Sequence, residues 1–97
     1  MTENQYQAKL IRQLKIAFPD CVVMKNDSGH QQGIPDLLVL YGNRWAALEV
    51  KVSAFAEEQP NQRWFIKKFN EMSFAAFIHP KNEAEVLHQL IQFLDKR

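Results

Sequence analysis

The sequence contains a single cysteine, Cys21, so no intramolecular disulfide framework can staple the chain. Such cysteine usage suits a reducing compartment. Cys21 opens the apolar run "CVVMK" and reads as a small buried hydrophobe rather than a reactive thiol. No apolar run approaches the ~20 residues of a membrane-spanning helix, and "MTENQYQAKL" lacks the apolar core of a signal peptide. A cytoplasmic protein with no membrane partner is expected. A basic excess is missing too. The formal net charge is +1, whereas many nucleic-acid binders carry a large positive balance. Any DNA-binding role must therefore rest on local clusters of Lys and Arg. The 97 residues hold no repeat, linker or low-complexity segment, which leaves one small domain covering residues 1–97.

What is present is strongly patterned. In "TENQYQAKLIRQLKIAF" the residues Tyr6, Leu10, Leu14, Ala17 and Phe18, with Ile11 alongside, recur at helical spacing. Thr2 with Gln5 three residues later resembles a capping box, and Pro19 disfavours helical geometry at Phe18. "CVVMK" is a short β-branched strand, and "NDSGHQQGIP" reads as a flexible surface loop. "DLLVLY" is apolar on both faces, as in a central strand covered on two sides. "GN" makes a turn, and "RWAALEVKV" returns as the antiparallel partner. "AFAEEQPNQRWFIKKF" leads into a second helix that presents Trp64, Phe65 and Phe69 inward. "SFAAFIHP" is a fourth strand. Asn82 with Glu85 suggests the start of a last helix whose inner face is Leu87, Leu90, Ile91 and Leu94. The order is α-β-β-β-α-β-α, an α/β (α+β) chain with a mixed central sheet flanked by helices.

The hairpin "GIPDLLVLYGNRWAALEVKV" carries Asp36, Glu49 and Lys51 among its apolar residues. A two-residue turn at 42 and 43 pairs residue 41 with 44, and antiparallel counting then pairs 36 with 49. Side chains alternate across a strand, so Glu49 and Lys51 share one face, roughly 7 Å apart at their Cα atoms. Two ionised carboxylates facing one another repel. A hard divalent cation, Mg²⁺ or Mn²⁺, relieves that repulsion and can acidify a bound water, while a lysine can stabilise charge building on a phosphate. An ordinary salt bridge of Lys51 to an acid would use the same residues. The register of both acids in one hairpin favours the metal site, and with it phosphodiester hydrolysis.

These residues, Pro35-Asp36 followed by Glu49-Val50-Lys51, resemble the motif of PD-(D/E)XK nucleases. The likeness is greatest to the small stand-alone VRR-NUC nucleases of phages and bacteria, which are similar to Holliday-junction resolvases. Glu3 at the head of the first helix, the Gly-containing loop before Asp36 and "QPNQRWF" after Lys51 match that pattern as well. The resemblance implies a restriction-endonuclease-like core. It further implies that Asp36 and Glu49 bind the metal by their carboxylates and Val50 by its backbone carbonyl, with Glu3 acting indirectly or through a water. Lys51 would be the catalytic lysine and Gln62, preferred over Gln59, would sit beside it and the scissile phosphate. "VSAFAEEQPN" departs from the family, because Glu57 and Glu58 place an acidic pair beside the expected DNA path.

Lys25, Ser28, His30, Arg63 and Lys67, with Lys68 nearby, are the candidate DNA contacts. Such phosphate contacts position DNA without reading its sequence. For Arg63, Lys67 and Lys68 a solvated helix face is the competing reading, and Trp64 is read as core rather than as a stacking platform. The expected activity is a metal-dependent endonuclease that cuts branched, junction-like DNA as a homodimer, since symmetric incision needs two sites about a two-fold axis. A nuclease for flaps, nicks or plain duplex is the rival among enzymes, and a non-catalytic DNA-binding or adaptor module the rival outside them.

Overall fold

The structure, a computed structural model, describes residues 1–26, 29 and 31–95. It begins with helix α1 (Glu3–Ala17). Thr2 and Gln5 form the expected reciprocal cap: the Thr2 amide donates to Gln5 Oε1 at 2.8 Å, and the Gln5 amide to Thr2 Oγ1 at 3.1 Å. Tyr6, Leu10 and Leu14 form the buried stripe and Phe18 continues it beyond the helix, stacking on Tyr41 with ring centroids 4.9 Å apart. Ala17, expected in that stripe, is exposed, since the extended Phe18 swings inward in its place.

Strands β1 (Val22–Lys25), β2 (Leu37–Tyr41) and β3 (Arg44–Val50) pair antiparallel in sequence order. Gly42 takes φ +62 in the turn, a conformation that costs glycine little. Tyr41 pairs with Arg44 and Leu37 with Leu48, which is the register expected from the turn. Helix α2 (Gln62–Met72) then crosses over to strand β4 (Phe74–Ile78), parallel to β3, and helix α3 (Glu83–Leu94) closes the chain. The element order α-β-β-β-α-β-α and the mixed sheet β1-β2-β3-β4 are as expected.

Alternation splits the sheet into two faces. Leu37, Val39, Ala46, Leu48, Val50 and Ile78 join the stripe of α1 and the Val86, Leu90 and Leu94 stripe of α3 in one core. Tyr6 Oη donates to Glu83 Oε1 at 2.8 Å and ties the two helices together. Trp45, Ala47 and Glu49 point to the opposite face, where α2 lies and Phe69 meets Trp45 edge-on at 5.7 Å.

Several expectations change here, each because of where a helix actually rests. With only eleven residues, α2 shields β3 and β4, so Leu38 and Leu40 of β2 are half-buried rather than covered on both sides. Trp64 is 60% exposed: Phe65 and Phe69, four apart, take the inward stripe, and Trp64 turns about 100° away from Phe65 around the helix. In α3, Val86 is buried and Ile91 is 39% exposed, so the inward stripe runs at spacing four from Val86. Asn82 precedes α3 without capping it. Its side chain accepts from the His79 amide at 2.8 Å and donates to the Phe77 carbonyl at 3.0 Å, binding the helix start to β4. Cys21 is half-buried against the core.

Leu48 is fully buried in the central strand. Leu48→Ala is expected to lower unfolding free energy by about 2–5 kcal/mol, whereas Ile16→Ala, on the exposed face of α1, should change it by less than about 0.5 kcal/mol. Urea titration of the two variants checks the contrast.

Candidate active site

Asp36 enters β2 from Ile34-Pro35, where Pro35 is fully buried. Its carbonyl accepts from the Asn26 amide at 2.8 Å, and the Asn26 side chain donates to the Pro35 carbonyl at 2.8 Å. On the other flank, Asp36 Oδ2 accepts from the Val50 amide at 2.9 Å. The ladder ends at the Leu37–Leu48 pair, and one residue further along each strand the carboxyls of Asp36 and Glu49 lie close together. Glu49 lies at the end of β3, beneath α2, and is only 2% exposed. Its Oε2 accepts from Gln62 Nε2 at 3.0 Å, and among the described residues no donor reaches its buried Oε1, which leaves the facing Asp36 carboxyl as its neighbour. The first turn of α1 brings in Glu3, and one oxygen from each of Glu3, Asp36 and Glu49 lies within 4.8 Å of the others.

Burial pushes the Glu49 carboxyl well above its ordinary value, to about 9, and the facing Asp36 charge adds to the rise. Nearby Lys51 opposes the shift without cancelling it. Glu3 is raised for the same two reasons in the same order. Three converging carboxylates with an orphaned buried oxygen form a donor set of hard oxygens, the chemistry that suits a small divalent cation. A nearby positive charge favours the ionised form of such a cluster.

Lys51 leaves the strand one residue later, its amide donating to the Ile78 carbonyl at 2.9 Å. Its ammonium donates to Gln62 Oε1 at 2.8 Å and to the Glu57 carbonyl at 3.0 Å, and sits 3.9 Å from Glu49 Oε2. Gln62, the first residue of α2 and nearly buried, also accepts from the Gln59 amide at 2.8 Å. One side-chain amide thus holds the lysine, the Glu49 carboxylate and the strap 52–61 together. The result is a hollow of about 450 Å³, lined among others by Glu3, Asp36, Glu49, Lys51 and Gln62.

The loop before Asp36 is less of a surface feature than its composition suggests, because Gly33 and Pro35 are buried. Gly33 has φ +88, and a Cβ there would lie 2.6 Å from the Pro60 carbonyl oxygen and 2.7 Å from Asn61 Cβ. Asn61 is itself left-handed, with φ +71. The loop that carries Asp36 and the loop that carries Gln62 can therefore pack together only if Gly33 has no side chain.

The structure brings Asp36, Glu49, Lys51, Gln62 and Glu3 into one hollow, while Val50 adjoins it through its amide bond to Asp36 and buries its side chain in the core. Lys25 ends β1 opposite Leu37, near the same edge. Arg63 pairs with Glu58 and lies 5.6 Å over the Phe77 ring, beside a second hollow that Lys51 also borders. Lys67 and Lys68 stand with Trp64 and Glu71 on the outer side of α2, away from the carboxylates. Ser28 and His30 lie outside the described residues. Sequence reasoning missed the Glu57 carbonyl, the Gln59 amide and the Gly33–Asn61 contact. Only the last left a trace, in the tolerance of Asn for left-handed backbone.

Two outcomes follow from this geometry. Because the folded carboxyl of Glu49 binds its proton more tightly than the unfolded one, its contribution to stability is fully present below pH ~4.5 and is lost as pH rises toward about 9. Glu49→Gln should flatten that decline in metal-free thermal melts across pH 5–9. Gly33→Ala should lose more than about 1 kcal/mol through its strained φ alone, and calorimetry should show weaker Mn²⁺ binding as the two loops separate.

No family profile and no curated protein matches the sequence. Among solved structures, the chain is similar to Hjc, a Holliday junction resolvase from the archaeal hyperthermophile Archaeoglobus fulgidus, with a TM-score of 0.55 over 79% of this chain and 68% of that one at 15% sequence identity. At that identity the likeness is one of fold, and the mixed sheet with its three helices is resolvase-like.

Proposed function

We propose that this chain is a Mg²⁺- or Mn²⁺-dependent endonuclease of the VRR-NUC kind, a homodimer that hydrolyses phosphodiester bonds in branched DNA, four-way junctions first among them. The observation that carries the reading is the convergence of Glu3, Asp36 and Glu49, with one buried oxygen left unpartnered, beside the ordered ammonium of Lys51. The motif resemblance of the hairpin and the resolvase-like fold support it.

In this reading Asp36 and Glu49 hold the ion directly, and Glu3 does so indirectly or through a water. The Val50 carbonyl is suited to join them. The N–H and C=O of one strand residue project to the same side, and the Val50 N–H is donated to Asp36. When bound, the ion supplies Lewis acidity toward a phosphoryl oxygen and lowers the pKa of a water. Lys51 exchanges the Glu57 carbonyl for a phosphate oxygen and stabilises the charge that builds there. Gln62 keeps Lys51 and Glu49 in one geometry throughout. Water attacks phosphorus, the bond to the 3′ oxygen breaks, and a 5′-phosphate and a 3′-hydroxyl result.

Lys25 and Arg63 are read as contacts to flanking phosphates, Arg63 by exchanging its Glu58 partner for one, and Lys67 as a contact to a strand that runs over α2. Ser28 and His30 complete the proposed DNA contacts. Among the described residues no helix is long and apolar enough to cross a membrane. The proposed setting is the cytoplasm of a bacterial or phage-infected cell. The dimer reading is supported by the exposed apolar side chains of α2, Trp64 at 60% and Met72 at 61%.

Cleavage of synthetic junctions, flaps, nicked and intact duplexes with Mg²⁺, Mn²⁺ or EDTA tests the activity. Metal-dependent cutting of branched DNA is expected, with Asp36→Ala and Lys51→Ala slowing it at least ~100-fold and Gln62→Ala about 10- to 100-fold. Cutting that survives Asp36→Ala moves the site elsewhere, and no cutting with either metal removes the nuclease reading. Sedimentation at micromolar concentration should show a dimer that Trp64→Glu weakens; a monomeric wild-type protein overturns the symmetric mechanism.

A further inference from the structure

Phe55 is 90% exposed, more than any other large hydrophobic residue among those described. A single exposed apolar side chain is ordinary on a protein surface, so its place and its support are what matter. It sits four residues after Lys51 and seven before Gln62, on the strap that borders the catalytic hollow through Val52, Ala56, Glu57 and Gln59.

The strap has a fixed shape. Ser53 Oγ accepts from the Phe55 amide at 3.3 Å, and the Ser53 carbonyl accepts from the Ala56 amide at 3.3 Å, so Phe55 occupies the tip of a hydrogen-bonded turn. Downstream, the Glu57 carbonyl is held by Lys51, Glu58 by Arg63, and the Gln59 amide by Gln62. Both neighbours of Phe55 are alanines, which leaves the ring clear on either side. A phenyl group is thus presented outward at a set position by the same residues that order the site.

Glu57, two residues on, decides what can approach, since the Glu58 charge is already met by Arg63. Carboxylates repel phosphates within a Debye length, whereas a nucleobase is neutral and offers a π face. An intact duplex keeps its bases stacked inside and shows phosphates outside. At a branch, nick or flap, a base step is open on one side and can accept an aromatic or apolar wedge.

We propose that Phe55 is a wedge that stacks on an exposed base at a DNA branch point and so biases this site toward branched over linear DNA. The inference rests on the nuclease reading above and adds to it the residue that selects the substrate's structure.

The test uses the full chain with four-way junctions, nicked flaps and linear duplexes carrying 2-aminopurine at the branch or the equivalent linear position, in Ca²⁺ to follow binding without cutting. Wild-type protein should raise 2-aminopurine emission at the branch. Phe55→Ala should abolish that rise and lower the ratio of branched to linear affinity about tenfold, in line with the loss of one stacked base. Phe55→Trp should restore the ratio, and its added indole should be quenched by junction DNA beyond the change seen from Trp45 and Trp64. The melting temperature of Phe55→Ala should match wild type. An unchanged 2-aminopurine signal and affinity ratio in Phe55→Ala overturns the wedge while leaving the nuclease reading intact. Dissociation of the dimer by Phe55→Ala overturns it too, by assigning the ring to a subunit interface. Wild-type protein that neither binds nor cuts any of these DNAs removes the nuclease reading, and the wedge with it.

Discussion

The hydrogen bond from the Val50 amide to the Asp36 carboxylate closes the β2–β3 ladder with a side chain, where a backbone carbonyl would ordinarily stand. One carboxylate oxygen is committed to the sheet, and the group as a whole cannot rotate away from Glu49. Asn26 grips the same residue from the β1 side through its carbonyl. A side chain free to move would relieve like-charge crowding by moving, and this one is prevented from doing so. The crowding then has two remaining outlets, a retained proton or a bound cation. Burial of Glu49 under α2 favours the first, and a cation would have to displace that proton to take its place.

The second constraint comes from the parallel pairing of β3 with β4. A parallel neighbour requires a crossover, and here the crossover is α2. Its first residue lands above the end of β3, which is why Gln62 rather than a later residue meets Glu49 and Lys51. Gln59 and Asn61 shape the approach, and the missing side chain at Gly33 lets the approach come close. The polar centre is therefore framed by two loops that fit only one another.

Much of this was legible beforehand. The turn at Gly42 and Asn43 and the alternation of β3 were enough to bring Asp36 and Glu49 opposite and Lys51 alongside, because antiparallel register is arithmetic once the turn is known. The capping box at Thr2 was readable for the same kind of reason: its partners are three residues apart. Trp64 was misread because its burial depends on how α2 rolls against the sheet, which periodicity within the helix does not reveal. Asn82 was assigned to the helix that follows it, while its side chain serves the strand before it. The lysine's second partner, the Glu57 carbonyl, left no signal at all, since every residue has a carbonyl.

Glu3, Asp36, Glu49 and Gln62 come from α1, the start of β2, the end of β3 and the start of α2. None of these segments alone holds more than one carboxylate of the cluster in place. A chain still emerging from synthesis, or one that has partly unfolded, carries the same acids but no cavity for an ion. Assembly of the carboxylate cluster is in this sense a report on complete folding: it is lost with the first of these segments to come loose, while the charges themselves remain on the chain. Under the nuclease reading proposed above, cutting would then be confined to the intact fold by topology alone.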